Sequence, residues 1–134
     1  MNLFVYGTLI SETVWETVVR GAYAFALAKL PGYARKKIQG EVYPALFPHP
    51  GSIVEGRVYF DVSEEDLRRL DSFEGEQYER TGLIVECVSD SSAINCCAYL
   101  FKARYHDLLL SEDWSYEEFL QKGLNVFLSS YKGF

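Results

Sequence analysis

Apolar and polar residues change rhythm several times in this chain, and each rhythm selects a different local structure. Leu3-Phe4-Val5 is an apolar run too short for a helix, so residues 3–6 read as a strand. Ser11-Glu12-Thr13-Val14-Trp15-Glu16 follows and reads as the opening of a short helix over residues 12–20. Residues 23–29 alternate imperfectly and read as a strand; residues 32–36 read as another, started by the Pro31-Gly32 turn signal. Residues 43–50 hold Pro44, Pro48 and Pro50, so they read as irregular or as a sheet edge. Residues 52–61 form a strand pattern that offers Ile53, Val54, Val58 and Tyr59 to a core. Within it Glu55-Gly56 marks a bulge or a close backbone approach.

A helix is predicted to start at Ser63. Ser63 is a good N-cap, while Glu64, Glu65 and Asp66 suit the positive end of the helix dipole. Val62 and Leu67 fit a hydrophobic staple across that cap, Leu67 and Leu70 share one face, and Gly75 provides the stop. Residues 78–88 and 93–101 read as a hairpin joined by Ser89-Asp90-Ser91-Ser92. A last helix opens at Ser115, with Glu118 completing a capping box and Trp114 and Phe119 forming its staple. Tyr116, Phe119, Leu120, Leu124, Phe127 and Leu128 trace an apolar stripe at helical spacing, read as a core-packing face. Strands and short helices without a regular βαβ rhythm argue for an α+β fold.

Composition narrows the class. A chain of 134 residues with 49% apolar content is expected to form one domain over 1–134 with a single sizeable core. Ten Tyr and nine Phe, many in the strand segments, favour a curved sheet or small barrel over a helix bundle. The formal charge of −6, without a long basic run, disfavours a nucleic-acid or anionic-membrane partner. The short cluster Arg35-Lys36-Lys37 reads as a solvated strand edge. The N-terminal residues lack a basic region followed by a long apolar stretch, so a cytoplasmic location is expected. Cys87, Cys96 and Cys97 read as reduced, buried strand residues. Adjacent Cys96 and Cys97 point to opposite faces, and His49 and His106 lie far from them in sequence, so neither a metal site nor a cofactor is expected.

Two segments carry candidate chemistry. The first is Tyr6-Gly7-Thr8-Leu9, where a strand turns into a helix. Backbone N–H groups at a helix start have no internal acceptor and attract anions. An ordinary strand–turn–helix, with Gly7 supplying a left-handed angle, accounts for the same residues. The second is Glu74, between Phe73 and Gly75 at a helix end. The dipole and apolar neighbours both oppose its charge and raise its pKa, which suits an acid/base residue; a solvated helix-end glutamate is the plainer alternative. Glu76 and Glu79 are nearby competitors. There is no G-x-S-x-G and no G-x-x-x-x-G-K-[ST], and the two histidines lie in unremarkable contexts, so neither a serine triad nor a P-loop can be built.

Taken in order, Tyr6-Gly7-Thr8-Leu9, Tyr43-Pro44-Ala45-Leu46, Val54-Glu55-Gly56-Arg57-Val58-Tyr59, Leu70-Asp71-Ser72-Phe73-Glu74-Gly75, Tyr78-Glu79-Arg80 and Trp114-Ser115-Tyr116-Glu117-Glu118 span most of the chain. This set resembles the γ-glutamylcyclotransferase-like superfamily, whose plant-type members are often called AIG2-like. The resemblance implies a small mixed β-barrel flanked by short helices. It also implies an enzyme that cyclises a small γ-glutamyl amide or γ-glutamylamine to 5-oxoproline and releases an amine. On the family pattern Glu74 is the acid/base, the Gly7, Thr8 and Leu9 amides cradle the glutamyl moiety, Tyr6 leads the loop, and Tyr78 helps orient the substrate. A non-catalytic module that binds a small anion or metabolite in the same pocket remains the alternative, and a protein-interaction module is a third reading.

Overall fold

The computed structural model describes residues 1–130. The expectation of one domain over 1–134 therefore includes four residues, 131–134, outside the described residues. The chain runs β1 (Leu3–Val5), a 3-10 turn (Thr8–Ile10), α1 (Glu12–Val18), β2 (Phe25–Ile38), β3 (Pro44–Tyr59), α2 (Glu64–Glu74), β4 (Tyr78–Cys87), β5 (Ala93–Phe101), a second 3-10 turn (Ala103–Leu108) and β6 (Leu109–Asp113). A terminal helical segment follows: α3 (Tyr116–Glu118), a π-helical stretch (Phe119–Gly123) and α4 (Leu124–Ser130).

Strands pair in the order β3-β1-β5-β4-β2-β6, and an additional β3–β2 pairing closes the first five into a barrel. β1 pairs parallel to β5, with Leu3 opposite Cys97, while the other pairings are antiparallel. The result is a mixed β-barrel flanked by short helices. Alternation along β1 sorts side chains to two cores. Phe4 joins Ala28, Leu30, Val54, Val58, Val85, Cys96 and Ala98, all from strands, whereas Leu3 and Val5 join Val14, Trp15, Val18, Leu67 and Leu70 of α1 and α2. Cys96 and Cys97 fall into different clusters, and the three cysteines are free and buried.

Closure depends on one small residue. A Cβ on Gly56 would lie 2.2 Å from the Val5 carbonyl oxygen, so β1 and β3 approach this closely only because position 56 has no side chain. The expected close approach at Gly56 is present; the irregularity in register lies instead on β2, between Pro31 and Tyr33.

Several sequence expectations are corrected. Residues 23–29 and 32–36 are one strand, β2, and residues 43–50 and 52–61 merge into one strand, β3. Proline lacks a donor, but residues 44–48 of β3 pair only with β2, so the edge alternative for this stretch holds. The basic trio is not a free solvated edge. Arg35 donates to the Tyr6 and Glu55 carbonyls, Lys36 pairs with Asp113 on β6, and Lys37 with Glu112 and Glu118. Glu118 therefore does not complete its capping box; Ser115 Oγ accepts from the Glu118 amide, but the Glu118 carboxylate turns to Lys37. The expected staple of Trp114 and Phe119 forms, with ring centroids 5.7 Å apart. The π-helical stretch adds a residue per turn and breaks the stripe, leaving Leu120 exposed while Leu124, Phe127 and Leu128 pack on the core.

Candidate active site

α2 ends where the sequence predicts. Ser63 Oγ accepts from the Asp66 amide at 3.1 Å, and the Gly75 amide closes the last turn on the Asp71 carbonyl. Asp66, read from sequence only as dipole-favouring, is almost wholly buried. Its carboxylate accepts from the Arg20 and Gly21 amides, each at 2.9 Å, and from Tyr23 at 2.6 Å, and it pairs with Arg69 at 2.7 Å. The helix is thereby fixed to the segment that follows α1, and Glu74, its last residue, is held toward the end of the barrel.

One cleft is lined by Tyr6, Gly7, Thr8, Leu9, Glu74 and Tyr78, so the residues singled out from the sequence all meet there. Phe4, Val5, Tyr43, Pro44 and Tyr99 complete the lining. Sequence reasoning missed Tyr43 and Tyr99 as site residues. Tyr43 opens the Tyr43-Pro44-Ala45-Leu46 motif, which was the available signal, whereas nothing in the local sequence separates Tyr99 from the other tyrosines; the pairing of β5 with β4 brings Tyr99 to the cleft.

Gly7 does not have the left-handed angle of the plain turn reading; its φ is −131° and its ψ −128°. What position 7 requires is space. An added Cβ would meet Pro44 Cγ at 2.7 Å and Cδ at 2.9 Å. The Ile10 and Ser11 amides close the 3-10 turn on the Gly7 and Thr8 carbonyls, so the Thr8 and Leu9 amides at its start have no acceptor within the turn. The Tyr6 carbonyl accepts from Arg35 at 2.6 Å, and the Arg35 guanidinium lies over Trp114 at 5.2 Å. In a trans peptide the carbonyl and the next N–H point in opposite directions, so this hold turns the Gly7 N–H away from Arg35.

Glu74 has no cation partner among the described residues, and burial pushes its carboxyl up to about 8. The tyrosines around it give their protons elsewhere. Tyr6 donates to the Tyr99 carbonyl at 2.5 Å, Tyr78 to the Pro44 carbonyl at 2.6 Å and Tyr99 to Asp71 at 2.7 Å, while Tyr43 has the Glu41 carboxylate as a neighbour. Burial raises the pKa of all four phenols, so they stay protonated near neutral pH. Glu74 is thus a half-buried carboxyl in an aromatic wall, open to the cleft and without a protein hydrogen-bond partner among the described residues. Tyr78 keeps only its oxygen lone pairs for the cleft, which makes it a wall more than a donor. Arg80, the last residue of the Tyr78-Glu79-Arg80 motif, pairs with Asp71 at 3.0 Å.

A family profile described as gamma-glutamyl cyclotransferase, AIG2-like, matches residues 3–116. The chain belongs to this family. The matched span contains every lining residue of the cleft and ends at the first residue of α3. Among curated relatives, AIG2-like protein D of Arabidopsis thaliana is 34% identical, over 99% of this chain and 88% of its own length. Among solved structures, the solution structure of an Arabidopsis thaliana protein superposes with a TM-score of 0.74 at 26% identity, covering 98% of this chain and 87% of that one. The crystal structure of an AIG2-like protein from Mus musculus gives a TM-score of 0.63 at 28% identity, covering 85% and 87%. No helix among the described residues is long and apolar enough to cross a membrane, and among the same residues no His/Cys/Asp/Glu cluster could hold a metal ion.

Proposed function

We propose that this AIG2-like protein is a γ-glutamyl cyclotransferase acting on a small γ-glutamyl amide or γ-glutamylamine. The observation that carries the reading is Glu74: a half-buried carboxyl with its pKa raised to about 8 and no cation partner among the described residues, in a cleft also lined by the start of the Gly7–Leu9 turn. The substrate's own α-amine attacks its γ-carbonyl, so the protein needs no nucleophile. An α-amine has a pKa of about 8, close to that of the Glu74 carboxyl, so a proton passes between them with little energetic bias in either direction. Glu74 takes the proton as the ring C–N bond forms. It returns the proton to the departing nitrogen as the γ C–N bond breaks, giving 5-oxoproline and a free amine. The amides of Gly7, Thr8 and Leu9 receive the α-carboxylate and keep the glutamyl chain folded on itself, which lowers the entropic part of the barrel-bound reaction's barrier. Tyr6 and Tyr78 form walls of the cleft, excluding water and fixing the ring-forming conformation.

The test is a panel of γ-glutamyl amino acids and γ-glutamylamines, read by mass for 5-oxoproline. Turnover of at least one member is the expected result. Saturable binding of γ-glutamyl compounds without turnover would instead identify a metabolite-binding module on the same cleft.

A further inference from the structure

Tyr99 is the one tyrosine lining the cleft whose hydroxyl is held by an acidic side chain that also pairs with an arginine. Its O–H donates to Asp71 Oδ1 at 2.7 Å. Arg80 Nε lies 3.0 Å from the same oxygen, and its NH2 donates to Asp71 Oδ2 at 3.3 Å. Asp71 stands three residues before Glu74 on α2, so both acids lie on one side of the helix. Tyr99 and Arg80 are directly opposite across the β4–β5 ladder, so they share a sheet face. The Tyr99 carbonyl in turn accepts the Tyr6 hydroxyl at 2.5 Å. The Asp71–Arg80 fork thus orders the Tyr99 phenol, while the Tyr6 phenol is ordered by the Tyr99 backbone within the β4–β5 ladder.

We propose that Asp71, fixed by Arg80, is a positioning residue that holds the Tyr99 hydroxyl away from Glu74 and so keeps Glu74 free to exchange a proton with the substrate amine. This inference rests on the cyclotransferase reading for its purpose but not for its structural content. A phenol that donated to Glu74 would favour the carboxylate, lower its pKa and weaken it as a base. The other groups facing Glu74 do not fill that role: Tyr6, just after β1, is tied to the Tyr99 carbonyl, Tyr78 on β4 to the Pro44 carbonyl, and Tyr43, just before β3, has the Glu41 carboxylate as its own acidic neighbour. Tyr99 is distinct because its acceptor is a half-exposed acid that a single substitution removes without opening the core.

The experiment is a carbon-detected NMR titration of the Glu74 side-chain carboxyl in the full chain and in Asp71→Ala, Tyr99→Phe and Asp71→Ala/Tyr99→Phe. Asp71→Ala is expected to lower the Glu74 midpoint by about one pH unit or more, the usual scale for a new hydrogen bond to a carboxylate. The double variant is expected to return it toward the parent value, because the hydroxyl that would rotate is gone. An unchanged midpoint in Asp71→Ala overturns the proposal. So does a lowered midpoint that persists in the double variant, since the shift would then come from losing the Asp71 charge alone. Turnover by the same variants is measured separately. Absence of 5-oxoproline from the parent protein would reject the cyclotransferase reading, while the titration would still decide the role of Asp71.

Discussion

At the scale of single residues, the site is governed by one carboxyl group and its surroundings. Glu74→Gln keeps shape and polarity but cannot cycle a proton, so kcat should fall by roughly 10²–10⁴, with Glu76→Gln and Glu79→Gln as controls that retain most activity. Wild-type rates in Glu74→Gln would remove Glu74 from the mechanism. The productive complex holds one proton between Glu74, at about 8 when free, and an amine whose free pKa is about 8. The profile of kcat/KM against pH should therefore be a bell centred near pH 8, and a plain acidic limb near pH 4–5 would contradict the raised pKa of Glu74. Stability has a definite sign as well. Glu74 keeps its proton in the folded state up to about pH 8 but loses it in the unfolded chain near the ordinary value of 4.5, so its contribution is full below about pH 4.5 and is lost as pH rises toward 8. Glu74→Gln should thus raise Tm relative to the parent at pH 8–9, with the advantage fading toward pH 5, which thermal melts across pH will show. Asp66 has the opposite sign. Its hydrogen bonds hold it down at about 2 despite burial, so its contribution is present above its unfolded value near 3.8 and is lost as pH falls toward 2. Asp66→Asn leaves donors poorly matched and should cost roughly 1–3 kcal/mol in denaturant unfolding at pH 7.

At the scale of elements, the turn from β1 into Thr8–Ile10 and the end of α2 are the two parts that must meet. Each is terminated by local chemistry: Ser11 Oγ caps α1 by accepting from Val14, and Gly75 follows the last turn of α2. Gly7→Ala should leave most of the fold intact but displace the turn from Pro44, because its Cβ would sit 2.7 Å from that ring. The expected outcome is a KM raised by about tenfold or more, the scale of one lost oriented contact, with Tm lowered by only a few degrees. An unchanged KM would show that the turn does not hold the glutamyl group. α2 and the hairpin of β4 and β5 were readable in advance, because their caps, turn residues and alternation agree with their final structures. The joining of two predicted strands into β2, and of the irregular or edge stretch 43–50 with the 52–61 strand into β3, was not, since Pro31, Pro48 and Pro50 interrupt the local pattern and only the long mutual ladder overrides them.

For the whole molecule, closure of five strands holds the cleft in place, and Gly56 is the point where it is most easily undone. A Cβ 2.2 Å from the Val5 carbonyl forces β1 and β3 apart, so Gly56→Ala should destabilise the protein by more than about 2 kcal/mol, measured by urea unfolding, and its activity should fall with its folded fraction. A fully stable Gly56→Ala variant would mean that the barrel adjusts without cost at that seam. β6 and α3, at the start of the terminal helical segment, are tied to β2 by Lys36 and Lys37, so charges that read from sequence as solvation of an edge act as a clasp between elements.

Local pattern was sufficient for the Ser63 and Ser115 N-caps, the strand–turn–helix at Tyr6–Leu9, the helix stop beside Glu74 and the free state of the cysteines, because each follows from dihedral preference, hydrogen-bonding reach or alternation within a few residues. The ordered motifs added the family and with it the barrel. Three things came only from the folded chain. These were the convergence of Glu74 with the Gly7 turn, the tyrosines that direct their protons away from it, and the anchoring of the Tyr6 carbonyl by Arg35. They depend on strand register and barrel closure, which bring together residues such as Tyr6 and Tyr99 that are 93 positions apart. A buried carboxyl owes its pKa to what lies around it in space, and that environment does not exist until the sheet has closed.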